Sequence, residues 1–344
     1  MKEVRIKNKI IGDNYPCYTV AEIGGAFHNF DQAKRLIDSA LEIKVDAIKF
    51  QTLEAETITT KNNMFNLETT GKISQFELFK EAEIPKKLQL DVVKYANDKG
   101  ITIFSAPSHI NDLEIMKEMD LAVYKIGSDL ACHIPLLKEV SKIGRPIILS
   151  TGMCTLEEVR NSVNAILAEG NDQLIVLHCI SDYPTKPEDV NLNAILTMKE
   201  EFGIPIGYSD HTIGNVSSLA AVSLGANVIE RHFRDTQNPE GVDDVISLVK
   251  DEFQDLINNI RLIEQIKGTG IKKPSNLEQK NLLNNKVSII TLQDIKQGEI
   301  ITPKTVDIRR PGNGIQPIDF ERVIGKKSKI FIPKETPIQW EMIE

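Results

Sequence analysis

The chain has 344 residues, 41% hydrophobic and 26% charged, the composition of an ordinary globular protein. Its 41 basic and 49 acidic side chains give a net charge of −8, so no overall positive field would attract nucleic acid or an anionic membrane. No apolar run approaches the roughly 20 residues of a membrane span, and MKEVRIKNKI at the N-terminus lacks the apolar core of a signal peptide. We therefore expect a cytoplasmic protein with one large and one small domain.

Eight short, β-branched and nearly continuous apolar runs recur along the first two-thirds of the chain. They are residues 18–24, 46–52, 101–106, 123–128, 146–152, 174–179, 206–210 and 227–233. The stretches between them have the periodicity of amphipathic helices, as in 31–42, 155–170 and 216–225. Eight alternations of buried strand and helix predict an α/β fold, a (β/α)8 TIM barrel whose chemistry lies at the carboxyl ends of the strands. A doubly wound sheet is the alternative, although no GxGxxG motif follows the first run.

Two segments depart from this alternation. Residues 53–80 form the longest gap between runs and are predicted to cover the site as an elaborated loop. A Gly/Pro/Lys-rich connector follows the last helical stretch, 253–268, and from Val287 onwards short strand-like runs alternate with polar turns. We predict a catalytic barrel over 1–270, a linker over 271–285 and a small β-rich domain over 286–344.

Reactive side chains gather where the runs end. They are Glu22, Lys49, Gln51, Ser105, Lys125, Ser128, Ser150, Thr151, His178, Ser209, Asp210, His211, Glu230 and His232. Lysine is rarely buried without a partner, so Lys49 and Lys125 among serine hydroxyls indicate a cradle for a phosphate or carboxylate. The alternative for each lysine is a structural ion pair.

His211 and His232 end two successive runs and would lie on neighbouring strands. A pair of imidazoles completed by water suits Mn²⁺, Fe²⁺, Co²⁺ or Zn²⁺ better than Mg²⁺. Core or supporting histidines are the alternative.

The four cysteines are scattered, at Cys17, Cys132, Cys154 and Cys179, and have no CxxC spacing. Reduced thiols are therefore expected rather than a zinc finger or a disulfide framework.

Several motifs, in order along nearly the whole chain, resemble the sialic acid synthase family. They are AEIG (21–24), IKFQT (48–52), YKIGS (124–128), ILSTGM (148–153), YPT (183–185), YSDHT (208–212), IERHF (229–233) and RPGNGI (310–315). That family condenses phosphoenolpyruvate with a six-carbon amino sugar to a nine-carbon 2-keto-3-deoxy acid. The C-terminal DIKQGEIITPKTV and RPGNG are similar to an antifreeze-like (SAF) domain.

The resemblance implies a role for each matching residue. Phosphoenolpyruvate would be held by Lys49, Lys125, Ser128, Ser150, Tyr183 and Ser209. His211 and His232 would bind a divalent metal, most often Mn²⁺, and Gln51, Asp243 and Arg310 would contact the sugar. In the family that arginine enters the partner's barrel, which implies a domain-swapped homodimer. Glu22 and Glu230 are both candidates for proton transfer, and the residues do not choose between them.

The chain departs from the family pattern on the sugar and water side. The family's GxNH is replaced by GGAFHN (24–29), STPF by SAPS (105–108), a usual acidic residue by Leu130, and an asparagine of some members by Ser181. We therefore expect a sugar that differs from N-acetylmannosamine, such as a diamino-dideoxy hexose, or a variant of reduced activity. The rival hypotheses are another phosphoenolpyruvate–aldose condensing enzyme, a lyase using a Schiff-base lysine, and a non-catalytic sugar-binding barrel.

Overall fold

The structure is a computed structural model that describes residues 2–67, 71–235 and 242–344. Contacts between Cα atoms divide the chain into two compact units, residues 1–268 and 269–344. The segment predicted as a linker, 271–285, belongs to the second unit and holds two of the short helices given below.

The described strands, in chain order, are β1 (Val4–Ile6), β2 (Lys9–Ile11), β3 (Tyr18–Glu22), β4 (Ala47–Thr52), β5 (Met64–Leu67), β6 (Gly71–Ser74), β7 (Thr102–Pro107), β8 (Tyr124–Ile126), β9 (Ile147–Ser150), β10 (Leu174–Cys179), β11 (Ile206–Asp210), β12 (Val228–His232), β13 (Ser288–Thr291) and β14 (Val306–Arg309). The described α-helices are α1 (Phe30–Glu42), α2 (Ala55–Ile58), α3 (Gln75–Ala82), α4 (Lys86–Asp98), α5 (Leu113–Glu118), α6 (Ile134–Lys142), α7 (Leu156–Ala168), α8 (Asn193–Phe202), α9 (Val216–Ser223), α10 (Lys250–Lys267), α11 (Asn276–Gln279), α12 (Leu282–Asn285) and α13 (Phe320–Val323).

Eight parallel strands close into a barrel in the order β3-β4-β7-β8-β9-β10-β11-β12, with β12 paired to β3. The predicted TIM barrel is therefore confirmed, and each predicted run contains one of its strands. Four of the eight strands, β3, β8, β9 and β12, end one or two residues before the predicted runs, and glycines such as Gly24 and Gly127 lie in the turns that follow β3 and β8. A capping box begins α7, with Glu158 accepting from the backbone N–H of Thr155 at 2.8 Å.

The barrel separates two apolar layers. Residues that point outward from the strands, such as Ile48 and Phe50, pack against the helices. A smaller cluster fills the amino-terminal end of the lumen, where Val4 and Ile6 of the β1–β2 hairpin pack with Phe104 and Ile175. Since this end is closed with apolar side chains, the polar residues at the opposite end form the open mouth.

Side chains alternate across each strand, and this alternation decides which polar residues enter the mouth. Asp210 and Arg231 point away from it and form an ion pair of 2.8 Å that is fully buried. Asp210 also accepts hydrogen bonds from Tyr208, Thr212 and Ser218 at 2.5–3.2 Å. This network joins β11 to β12 and sets the register of the residues on either side of the pair.

The segment over 53–80 contains α2, the β5–β6 hairpin and α3, with residues 68–70 outside the described residues. In the second unit, β13 and β14 pair antiparallel over an aliphatic core that includes Ile289, Ile301, Val323 and Ile338. No helix among the described residues is long and apolar enough to cross a membrane.

Candidate active site

Four buried charges lie together at the mouth of the barrel. Lys49 of β4 pairs with Glu22 of β3, and the Lys125 Nζ of β8 lies 3.0 Å from the Glu230 Oε1 of β12. All four side chains are at most 8% exposed. Strand register explains the first pair, since Glu22 lies directly opposite Lys49. The second pair spans the lumen, because β8 and β12 are not neighbours.

The two carboxylates differ in proton affinity. Burial raises the pKa of Glu22 more than the ion pair with Lys49 lowers it, and Glu230 adds to the increase. Burial also acts to raise the pKa of Glu230, but Lys125 and Lys49 outweigh it and lower this pKa to about 2. For Lys49, burial acts to lower the pKa, but Glu22 and Glu230 outweigh it and raise the pKa above its ordinary value. Glu22 is therefore the carboxylate better suited to hold a proton, and Glu230 remains ionised.

A cavity of about 250 Å³ lies above these charges. Its lining includes ten of the predicted residues: Lys49, Gln51, Lys125, Ser128, Ser150, Tyr183, Ser209, His211, Glu230 and His232. Glu22 is not part of this lining, but its ion-pair partner Lys49 is. The Ser150 hydroxyl and Glu230 Oε2 are buried and have no hydrogen-bond partner among the described residues. Unpaired buried polar atoms of this kind are expected where a polar ligand completes the bonding.

The two predicted metal ligands are close together. The ring centroids of His211 and His232 are 5.4 Å apart, and Tyr183 stacks on His211 at 4.2 Å. The His211 Nδ1 lies 2.8 Å from the Ile180 carbonyl oxygen, which favours a proton on Nδ1 and leaves Nε2 free for a ligand. Burial, followed by the neighbouring His211, lowers the pKa of His232 and favours the neutral imidazole that a metal ligand must be. Burial also acts to lower the pKa of His211, but Cys179 outweighs it and raises this pKa, so a metal would displace the proton of His211. The donor set therefore fits a divalent cation bound by two imidazoles and by small-molecule oxygens.

No third protein ligand accompanies this pair in the part of the chain that the structure describes. Among residues 2–67, 71–235 and 242–344, no group of three or more His, Cys, Asp or Glu side chains has the arrangement of a metal site. The Asp243 Oδ2 lies 3.7 Å from the His232 Nδ1. Burial, with a contribution from Glu22, raises the pKa of Asp243 to about 6.

A second cavity of about 780 Å³, the outer cavity, shares Gln51 and Tyr183 with the first, which we call the inner cavity. The segment over 53–80, which we call the lid, contributes Phe65 and Phe79 to both cavities. The two rings meet edge to face, with their centroids 5.9 Å apart. Asp243 lines this outer cavity. The charged residues around it are Arg35, Glu81, Arg234, Asp235, Asp243 and Asp244. Sequence reasoning placed the lid here, but not the aromatic pair or Arg234, which directly follows the IERHF motif.

The positions that depart from the family pattern divide into two groups. Ala106 and Ser181 line the inner cavity, whereas Leu130 packs against the apolar core. Asp129, beside Leu130, does line the cavity and brings a carboxylate to it. In the first loop, Asn29 caps α1 by accepting from the Gln32 N–H at 3.0 Å, and His28 lines the outer cavity.

Two further predicted residues lie elsewhere. His178 points away from the mouth, where its ring stacks on Tyr208 and its Nε2 lies 2.7 Å from the Val190 carbonyl oxygen. Arg310 follows β14 in the second unit and is exposed. Its predicted contact with the sugar of a partner remains a prediction.

We expect the variant Lys125→Met to lose ~3–5 kcal/mol of unfolding free energy at pH 7, because Glu230 would lose its partner inside the barrel. The ion pair between Glu230 and Lys125 stabilises the protein at pH values above 4.5, the ordinary pKa of a glutamate. This contribution disappears as the pH falls towards about 2, the pKa of Glu230 in the folded protein. The difference between variant and parent should therefore shrink over that range. Urea unfolding at several pH values measures it. The control Lys125→Met/Glu230→Gln should recover most of the loss at pH 7, and a single variant as stable as the parent would contradict the expectation.

Comparison with known proteins agrees with the geometry. Residues 36–272 match the NeuB family, and residues 286–344 match the SAF domain. The N,N'-diacetyllegionaminic acid synthase of Campylobacter jejuni is 37% identical over 310 residues, covering 88% of this chain and 93% of that protein. The human N-acetylneuraminate-9-phosphate synthase is 32% identical over 346 residues, covering 97% of this chain and 94% of that protein. The crystal structure of the N-acetylneuraminic acid synthetase from Leptospira borgpetersenii with citrate has a TM-score of 0.73 at 33% identity, covering 82% of this chain and 95% of that chain. The predicted resemblance, the SAF domain and an enzyme of the sialic acid synthase type are confirmed: the chain belongs to the NeuB family.

Proposed function

We propose that the protein condenses phosphoenolpyruvate with an open-chain N-acetylated amino sugar, giving a nine-carbon 2-keto-3-deoxy acid and phosphate. The sugar is N-acetylmannosamine or a related diamino-dideoxy hexose. The observation that carries the proposal is the convergence of two buried lysines and two histidines on one cavity at the barrel mouth. The names of the relatives, which are synthases of such acids, support it.

The inner cavity is the proposed site for phosphoenolpyruvate. Its size suits a three-carbon phosphate ester, and Lys49 and Lys125 offset anionic charge that would be costly to desolvate alone. Ser128, Ser150 and Ser209 supply hydroxyl donors, and the unpaired hydroxyl of Ser150 supports this assignment. Tyr183 lies between this cavity and the outer one, where the two substrates would meet.

The outer cavity is the proposed sugar site. Its described lining carries four carboxylates and two guanidinium groups, and one of these, on Arg35, already pairs with Asp235 at 2.8 Å. This balance disfavours a phosphorylated sugar. The apolar wall of Phe65, Leu78 and Phe79 suits methyl and acetyl groups, which favours a diacetamido-dideoxy hexose over N-acetylmannosamine. Gln51 and Asp243 would hold the sugar hydroxyls.

In the proposed reaction, C3 of phosphoenolpyruvate attacks the aldehyde carbon of the sugar. A divalent metal, most often Mn²⁺ in this family, would be held by His211 and His232 and would stabilise the charge that develops on the aldehyde oxygen. Water then adds at C2, and phosphate leaves with cleavage of the C–O bond. Glu22, whose pKa is raised, is the proposed group for proton transfer, while ionised Glu230 keeps Lys125 in place.

The Schiff-base alternative is disfavoured by the same geometry. A lysine must lose its proton to attack a carbonyl, and Lys125 lies 3.0 Å from an ionised carboxylate. Sodium borohydride with pyruvate should therefore leave no adduct on the protein.

We expect phosphate release from phosphoenolpyruvate and Mn²⁺ with an unphosphorylated diacetamido-dideoxy hexose, and weaker release with N-acetylmannosamine 6-phosphate or arabinose 5-phosphate. A coupled phosphate assay over this panel, with N-acetylmannosamine included, gives the substrate, and mass spectrometry identifies a nine-carbon acid. A seven- or eight-carbon product would point to the rival condensing enzyme. Absence of release with every sugar, although metal binds, would favour the sugar-binding barrel.

The variants His211→Gln and His232→Gln are expected to weaken Mn²⁺ binding at least ~10-fold each, because each removes one of the imidazole donors. Electron paramagnetic resonance of unbound Mn²⁺ measures the affinity without any turnover. The matched control is His133→Asn, since His133 caps α6 outside both cavities. Equal affinity in all three variants would exclude the histidine pair as the metal site.

We also propose a homodimer in which Arg310 serves the partner's barrel, as the family pattern implies. Arg310→Ala and Lys49→Ala should each abolish turnover, whereas an equimolar mixture, dissociated and reassembled, should regain roughly a quarter of the parent activity. This recovery is expected because one site of each mixed dimer combines the intact arginine with the intact lysine. No recovery in a mixture shown to contain mixed dimers would argue that each chain uses its own arginine.

A further inference from the structure

A pair of free thiols lies beside the inner cavity and has no part in the proposed chemistry. The Cys132 and Cys154 sulfurs are 3.8 Å apart although 22 residues separate them in the chain. Cys132 is exposed and Cys154 partly buried. Neither lines either cavity.

We propose that Cys132 and Cys154 form a reversible oxidation site that reacts with hydroperoxides and lowers phosphoenolpyruvate binding when oxidised. The exposed Cys132 thiolate would attack one peroxide oxygen and break the O–O bond, forming a sulfenic acid and, with hydrogen peroxide, one water. The Cys154 sulfur would then displace the hydroxyl from the sulfenic sulfur, forming the disulfide and a second water. Two thiols lose two electrons and two protons in total, and one peroxide is reduced.

The two thiols are well placed for this order of steps. Exposure lets a peroxide reach Cys132 first. Burial, and then the contact with Cys132, raises the pKa of Cys154 to about 12, so Cys154 stays protonated until the neighbouring sulfur is oxidised. The other two cysteines are less suited, because Cys17 and Cys179 are both buried. Close pairs of thiols in reducing compartments are more often redox-sensing than structural when they do form disulfides.

The pair is connected to the substrate site by the two loops that carry it. Cys132 follows β8 and Ser128, and Cys154 follows β9 and Ser150. The Gly152 N–H donates to the Ser128 hydroxyl at 2.9 Å and joins the loops at the cavity wall. A disulfide would shorten the sulfur–sulfur distance from 3.8 Å to ~2.05 Å, and rotation of the side chains and displacement of the loops would share this change. Because an error of ~1 Å in a binding group can reduce the rate ~100-fold, a displacement of Ser128 and Ser150 would weaken substrate binding.

The test treats the reduced, full-length protein with hydrogen peroxide, blocks the remaining thiols with iodoacetamide under denaturing conditions, and maps the peptides by mass spectrometry. We expect a 132–154 cross-link that lacks two hydrogen atoms, while the Cys17 peptide of the same digest is alkylated. Oxidised protein should show at least a ~10-fold rise in KM for phosphoenolpyruvate, reversed by dithiothreitol. The variants Cys132→Ser and Cys154→Ser should keep parental activity when reduced and should form no cross-link.

The activity readout rests on the proposed function, but the peptide map does not. If no sugar supports turnover, the loss of a phosphoenolpyruvate-induced rise in melting temperature on oxidation reports the same coupling. Full alkylation of Cys132 and Cys154 after peroxide treatment would overturn the oxidation site. A 132–154 disulfide that changes neither KM nor the thermal shift would overturn its coupling to the substrate.

Discussion

Two cations and two carboxylates are buried together at the mouth of the barrel, and the site depends on the electrostatic balance between them. Lys49 and Lys125 pair with Glu22 and Glu230 in a place where a single buried ion would be unstable. The same balance separates the carboxylates, because Glu230 faces two cations and stays ionised whereas burial dominates at Glu22. A dianionic substrate entering above the lysines would meet cations already in position.

Apolar packing and a buried ion pair hold the scaffold beneath this cluster in place. A β-hairpin closes the amino-terminal end of the lumen with aliphatic side chains, so only the opposite end is open. Outside the lumen, Asp210 and Arg231 pair between the motif that carries His211 and the motif that carries His232. A buried ion pair with several additional hydrogen bonds restricts the register of β11 and β12, and with it the separation of the two imidazoles. The histidine site is thus supported by two residues that each directly precede one of its ligands in the chain.

Most departures from the family pattern lie at the walls of both cavities. The inner cavity keeps the residues expected for phosphoenolpyruvate, while Ala106 and Ser181 differ from the family pattern at its wall. The outer cavity takes much of its lining from the lid, including Phe65 and Phe79, and from the segment around Asp243. Loops over a fixed barrel can change the accepted sugar without disturbing the charges below.

The sequence by itself determined the barrel, because eight apolar runs that alternate with amphipathic stretches have few other ways to bury both faces. It also identified most residues of the inner cavity, since they end those runs. Only the tertiary structure decided which side of each strand faces the mouth: His211 enters it while Asp210 does not, and His178 turns outward towards Val190. The tertiary structure alone showed the partners of the lysines and the contact between Cys132 and Cys154. It also showed that Asp129, rather than its neighbour Leu130, lines the inner cavity. These relations join residues far apart in the chain, and local patterns carry no information about such distances.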